Sequence, residues 1–372
     1  MEEAMSLSIG EPISGGQAAR GWDEMSTRFD GGIDLGKIRA LLQQAKDRGG
    51  SPGETISAFN LVAIYFSPAA YERAQAALEA AGRLHPSRLL VLIAEPHAEG
   101  ESVAARVSVV RSGGAVSLER IVLTAQGGGV RHLESALLGL LVPDLPVVVV
   151  WGGRPEGALL RRAVDMADRV IIDSGTRPPQ ALADVGAMLA RGAPIGDLAW
   201  ARIFPWMSLA AEVLDVPNLR EHRGKLKSAR VICAGGIGSE GVLLAGWFAS
   251  RVKKARVELV TGREPEMDSA MPGAGDGTSI TGLPSATPLG KGQIAVFEFT
   301  APPASFTLRR EKSVLVAEVR GDDDGEILHR LRLPPETPGR LLGLELKLLA
   351  GQDELYAAAV QAAVKLLPQS GS

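Results

Sequence analysis

Two uninterrupted apolar runs, RLLVLIAE at Arg88–Glu95 and VVVVW at Val147–Trp151, constrain the fold more than any other feature of this chain. A strand with one wet face alternates apolar and polar residues. A run without alternation is apolar on both sides and belongs inside a sheet that helices cover on both faces. Phe59–Phe66 and Arg169–Asp173 add two further strands. Segments with helical spacing lie between them: Asp34, an N-cap, to Gly49–Gly50; Pro68–Ala81; Val130–Leu141; Glu156–Met166; and Pro178–Arg191. Val103–Arg111 and Val116–Thr124 form a hairpin about Ser112–Gly113–Gly114. Strands alternating with helices predict an α/β unit.

The second half changes pattern twice. Asp197 begins a tryptophan-bearing helical block that ends near Leu214, and strands Ala229–Ala234 and Ala255–Val260 then flank a helix at Glu240–Arg251. Four strands follow without helices between them, near Gln293–Thr300, Ser305–Arg310, Val314–Arg320 and Glu326–Leu333. Helices at Gly339–Leu349 and Asp353–Leu367 close the chain. The expected fold is α/β: two α/β domains with mixed sheets, the second extended by an antiparallel C-terminal meander. A length of 372 residues exceeds what one core comfortably supports. The expected division is a tail at 1–33, an N-terminal domain at 34–165 and a C-terminal domain at 166–372. A long Gly-, Pro- and Ser-rich loop is expected at 262–290.

Composition removes several classes of function. A net charge of −3 supplies no field to recruit nucleic acid or an anionic membrane. The basic stretch Arg220–Arg230 is interrupted by Glu221. A single cysteine, Cys233, permits neither an internal disulfide nor a structural zinc site. No secretory h-region opens the sequence, and the apolar stretch Leu137–Trp151 is broken by Pro143, Asp144 and Pro146. The expectation is a cytoplasmic protein.

Val231–Gly241 carries the one signal for a cofactor. A strand runs into Gly236-x-Gly238-x-x-Gly241, a helix follows, and Glu258 stands on the next strand about twenty residues on, as in dinucleotide-binding folds. The glycines would let a pyrophosphate approach the helix N-terminus, and Glu258 would hold a ribose hydroxyl. The same glycines also suit a strand-to-helix turn with positive φ values. Gly127–Gly129 offers a second nest but lacks the Lys-Ser/Thr of a P-loop. His85, His97, His132, His222 and His329 show no metal-ligand spacing. In a chain with 4% aromatics, Trp200, Arg202, Phe204 and Trp206 are crowded into one block. Such residues anchor protein interfaces, and they also seal junctions between domains.

Five blocks in order carry a resemblance: HPSRLLVL (His85–Leu92), HLESALLGLLVPDLPVVVVW (His132–Trp151), ADRVIIDS (Ala167–Ser174), DLAWARIFPW (Asp197–Trp206) and LLAGWFASR (Leu243–Arg251). The chain resembles the glucose-6-phosphate dehydrogenase assembly protein family, also called OpcA. The resemblance implies a non-catalytic cytoplasmic protein that binds glucose-6-phosphate dehydrogenase and favours its active oligomer. The partner would bind glucose 6-phosphate and NADP, and this chain would need no cofactor of its own. Arg202, Trp206 and Trp200 are the first candidates for the contact, then His85 and Arg88. Photosynthetic members are associated with thiol-based control, which Cys233 alone cannot supply through an internal disulfide.

Overall fold

The computed structural model describes residues 23–29, 32–48, 57–112, 115–153, 158–262, 289–321, 326–348 and 351–367. Its first sheet has eight strands: β1 (Asp23–Phe29), β2 (Phe59–Tyr65), β3 (Ser87–Glu95), β4 (Glu101–Ser112), β5 (Ala115–Gly127), β6 (Val147–Trp151), β7 (Arg169–Ile172) and β8 (Ile195–Asp197). They lie in the order β1-β4-β5-β3-β2-β6-β7-β8. The six from β5 to β8 run parallel, and β4 and β1 close one edge antiparallel.

The helices are α1 (Leu35–Asp47), α2 (Pro68–Leu84), α3 (Leu133–Leu140), α4 (Ala158–Met166), α5 (Leu182–Leu189), α6 (Leu198–Asp215), α7 (Ser239–Arg251), α8 (Pro338–Glu345) and α9 (Glu354–Leu366). Asp34 caps α1 by accepting from the backbone N–H of Lys37, and Ser67 caps α2 ahead of Pro68. The apolar run on β3 is buried on both sides. Leu89, Val91 and Ile93 pack with Leu78 of α2 and with Leu342 of α8. Leu90 and Leu92 belong to the other core, with Ile38 of α1 and Leu137 of α3.

The second sheet has six strands: β9 (Ser228–Ala234), β10 (Arg256–Gly262), β11 (Ile294–Ala301), β12 (Ala304–Glu311), β13 (Val314–Arg320) and β14 (Glu326–Arg332). Their order is β10-β9-β11-β12-β13-β14, with only β9 and β10 parallel. One face is aromatic. Phe299 stacks on Phe306 at 4.9 Å between centroids, Phe297 lies 5.3 Å from Phe299, and Phe248 of α7 seals the group at 5.8 Å from Phe297.

The opposite face is a grid of mixed character. One row across it reads Glu258, Arg230, Glu298, Thr307, Glu318, and the next reads Val260, Ile232, Val296, Arg309, Val316, Arg330. Ile232, Val260 and Val296 are part-exposed and stand outside both buried apolar clusters, whereas Val316 on the same face is fully buried.

Three expectations are corrected. Residues 23–29 of the supposed tail form β1, whose pairing with β4 places Met25 and Phe29 against the core. The first sheet does not end near residue 165: β7 and β8 continue it. Nor are the two parts independent of each other, because α8 returns to pack on α2. There Gly339 sits so close to Ala77 and Ala80 that a Cβ would lie 2.9 Å from the Ala80 methyl. The expected loop at 262–290 falls largely outside the described residues.

Candidate functional site

The glycine turn between β9 and α7 is closed by the chain itself. Gly235 and Gly236 have φ of 62° and 153°. A Cβ on Gly238 would stand 2.5 Å from the carbonyl oxygen of Gly292, and one on Gly236 would stand 3.2 Å from Lys291 Cε. The 290–293 segment is fixed there by Gly292 N–H donating to Ala234 O at 2.7 Å and Ala234 N–H donating to Gln293 O at 2.9 Å. Gly241 lies against the Cys233 sulfur. Gly238 thus admits the neighbouring 290–293 segment at the mouth of the turn, and Gly241 lets α7 pack closely on β9.

Glu258 is also at the wrong end of the sheet. It pairs in register with Arg230, near the start of β9, four residues before Ala234. At about 3.3 Å per residue that is roughly 13 Å from the turn. Its carboxylate meets Arg256 Nη2 at 2.8 Å. The reading of Gly236, Gly238, Gly241 and Glu258 as a dinucleotide fingerprint is corrected on both counts. Glu258 instead borders a shallow depression of about 300 Å³ on the mixed face, with Ser228, Arg230, Arg256, Glu298 and Thr300.

The Asp197–Trp206 block folds inward. Asp197 ends β8 and caps α6, accepting from Ser174 N–H at 3.0 Å, Ala199 N–H at 2.9 Å and Tyr356 O–H at 2.8 Å. Burial pushes its carboxyl above the usual range, against the pull of the Ser174 and Ala199 amides. Trp200 Nε1–H donates to Asp353 Oδ2 at 3.2 Å, and its ring lies 5.5 Å from that of Tyr356. Trp200 is 8% exposed and Trp206 4%, so neither ring presents itself to a partner. That corrects their place among the contact candidates. Helical spacing could have shown it: Trp200 lies three and seven residues before Ile203 and Met207, and Trp206 lies three after Ile203 and four before Ala210, so both share a core stripe of α6. Phe204, not singled out for contact, is the exposed aromatic of the block at 61%.

Arg202 holds a partly buried ionic cluster where the two sheets meet. Its Nη1 and Nη2 donate to Asp173 Oδ1 and Oδ2, each at 2.7 Å, and Nη1 lies 3.6 Å from Glu240 Oε1. Burial opposes the guanidinium charge, yet the Asp173 hydrogen bonds outweigh it and hold Arg202 above its ordinary range. Burial pushes Glu240 up to about 7, with Arg202 pulling the other way. A second buried pair lies deeper, Arg169 Nη2 to Glu345 Oε2 at 2.7 Å. There too burial dominates and pushes Glu345 up to about 7.

His85 and Arg88 are elsewhere. His85 caps the C-terminal end of α2. Arg88, second in β3, donates to Glu119 Oε2 at 2.6 Å and to Leu140 O at 3.1 Å, beside Lys46 on the same carboxylate. These two residues mark the N-terminal ends of the parallel strands, whereas Arg202 and Asp173 lie at the C-terminal ends. The five contact candidates do not converge. Among the described residues no group of three or more His, Cys, Asp or Glu could hold a metal ion, and no helix is long and apolar enough to cross a membrane.

Residues 78–187 match the family model described as glucose-6-phosphate dehydrogenase subunit N-terminal domain, and residues 193–360 the corresponding C-terminal domain. A relative from Synechocystis sp. named "Putative OxPP cycle protein OpcA" is 29% identical over 142 residues, 37% of this chain and 30% of its own. A relative of the same name from Nostoc punctiforme is 26% identical over 179 residues, 45% of this chain and 38% of its own. The matched stretches thus span well under half of those relatives. Among solved structures, a 3-ketoreductase from Actinomadura kijaniata has a TM-score of 0.44 at 12% identity, covering 83% of this chain and 95% of that one. Glucose-6-phosphate 1-dehydrogenase from Mycobacterium avium has a TM-score of 0.42 at 13% identity, covering 83% and 91%.

Proposed function

The chain belongs to the OpcA family of glucose-6-phosphate dehydrogenase subunits, and we propose that it serves as a non-catalytic assembly factor for that dehydrogenase. It binds the enzyme in the cytoplasm and favours its active oligomer at the entry to the oxidative pentose phosphate pathway. The observation that carries this reading is the match of both halves of the chain, in order, to the two domains of the subunit family. The filled glycine turn supports it, because NADP would be left to the partner.

The physical basis is a population shift. A protein that binds one oligomeric form more tightly than another moves the equilibrium by its differential affinity, typically about 1–3 kcal/mol. The test is to mix the purified chain with the cognate dehydrogenase at micromolar concentration. Co-elution in size-exclusion chromatography with a lower KM or a larger assembly is expected. Two independent peaks with unchanged kinetics overturn the proposal. Calorimetric titration of the chain alone with NAD and NADP to about 1 mM is expected to give no binding heat, and a saturable heat would point to an enzyme instead.

A further inference from the structure

We propose that the basic end of the β9–β10 strand pair docks an acidic patch of the partner dehydrogenase, an inference that rests on the assembly-factor reading. The surface is assembled from two stretches that are separate in sequence. Residues 220–230 and 251–258 hold nine Lys and Arg against two Glu, a net of +7 in a chain of net −3. The remaining residues therefore carry −10. Strand pairing brings the two stretches together. β9 and β10 are parallel with Arg256 in register with Ser228, so both strands begin at the same end. There the Arg256 N–H donates to Lys227 O at 2.9 Å. α7 ends at Arg251 and delivers Lys253 and Lys254 to that end as well.

Part of this charge is answered within the chain and part is not. Arg223 is held by Asp215, Lys225 by Glu221 and Arg256 by Glu258. Lys227, Arg230, Arg251, Lys253 and Lys254 are exposed, and among the described residues none has a hydrogen bond or an ion pair. A cation beside the last turn of a helix complements its carbonyl end, which accounts for Arg251 and Lys253. It does not account for Lys227 and Arg230, which reach the same end from another element. Neighbouring strands lie about 4.8 Å apart, within the ~8 Å over which charges act on one another at physiological salt. Like charges held so close repel, and an opposing acidic surface relieves them.

The make-up of the surface selects the kind of anion. Neither stretch contains Phe, Trp or Tyr, so it offers no ring on which a base could stack. Leu226, Val252 and Val257 pack against the core, which leaves the two stretches without an exposed large apolar side chain to enter a bilayer. An extended polyanion would also run into the −10 carried by the remaining chain. A compact acidic patch on a folded protein meets only the strand ends that carry the cations, and is drawn to them on approach.

The experiment measures association of the full chain with the cognate dehydrogenase at about 0.05 and 0.5 M NaCl. The parent Kd is expected to rise about tenfold or more over that range. Lys253→Glu with Lys254→Glu is expected to weaken binding about tenfold or more at the lower salt, chiefly by slowing association, and to flatten the salt dependence. Both side chains are exposed, so thermal melting should not change. Lys253→Arg with Lys254→Arg is expected to bind as the parent does. Arg161→Glu with Arg191→Glu makes the same change of net charge on and beside the helices of the first sheet, and is expected to bind like the parent. Equal losses in the two Glu pairs overturn the proposal, because net charge and not this surface would then govern binding. Parent-like binding by the Lys253 and Lys254 Glu pair also overturns it and leaves the assembly-factor reading standing. A parent chain that does not bind the enzyme overturns both. Parent binding to single-stranded DNA or to phosphatidylserine vesicles at about 0.15 M salt, lost in that Glu pair while its dehydrogenase binding persists, gives the surface to a polyanion and overturns the proposal.

Discussion

The hydroxyl of Tyr356 donates to Asp197 Oδ2 at 2.8 Å across 159 positions of sequence, with both side chains buried. The bond ties α9 to the end of the first sheet, beside the contact of Trp200 with Asp353. Tyr356→Phe keeps the ring and removes the donor, leaving a buried carboxylate oxygen short of a partner. Loss of about 1–3 kcal/mol is expected in urea unfolding. An unchanged midpoint would show that the site takes up water or a proton instead.

Stability is expected to fall as pH rises between about 4.5 and 7. Burial pushes Glu240 and Glu345 from 4.5 to about 7 in the folded chain. A carboxyl whose pKa is higher when folded binds its proton more tightly there. Its contribution is complete below the unfolded pKa and is lost as pH climbs through the folded one. Glu240→Gln and Glu345→Gln should each flatten the slope of unfolding free energy against pH in that window. Slopes equal to that of the parent chain would show that Arg202 and Arg169 keep both groups ionised.

Arg202→Ala should cost about 2–3 kcal/mol, because Asp173 loses two charge-assisted hydrogen bonds and Glu240 loses its nearby cation. Arg202→Lys should recover only part of this, since an ammonium cannot span both oxygens of Asp173. Thermal melts decide between them. At temperatures where the variant is folded, its binding to the dehydrogenase is expected to match the parent, as the guanidinium is turned inward.

Cys233 should resist modification in the native state. Burial pushes its thiol up to about 11, against an N–H from Gly238, and the side chain has no exposed surface. Little thiolate is present at pH 8. Reaction with a soluble disulfide reagent is expected only upon addition of denaturant, and a fast native reaction would mean that the turn at Gly238 opens readily.

Most of the fold was legible because it rests on short-range patterns. The unbroken apolar runs located β3 and β6, Asp34 and Pro68 located the starts of α1 and α2, and the meander after residue 290 followed from alternation. β1 and β8 were missed. DEMSTRF reads as polar, because it is an edge strand with one side against the core, and Ile195–Asp197 is three residues held by its neighbour β7. Long-range placement was not written locally. Nothing near Pro338 says that α8 will cross to α2, and nothing near Trp200 says that Tyr356 and Asp353 will cover it. The contact candidates failed to converge for that reason: residue type named hot-spot chemistry, but the direction in which each side chain points is set by elements far along the chain.

The return of α8 to the first sheet also sets an order of events during synthesis. Arg169 meets Glu345 176 positions later, and Leu342 covers the face of β3 shared with α2. As the chain leaves the ribosome, the first sheet must wait with an apolar patch and a buried cation uncovered until α8 has emerged. A nascent chain stalled before that point is a natural client for chaperones that hold apolar segments.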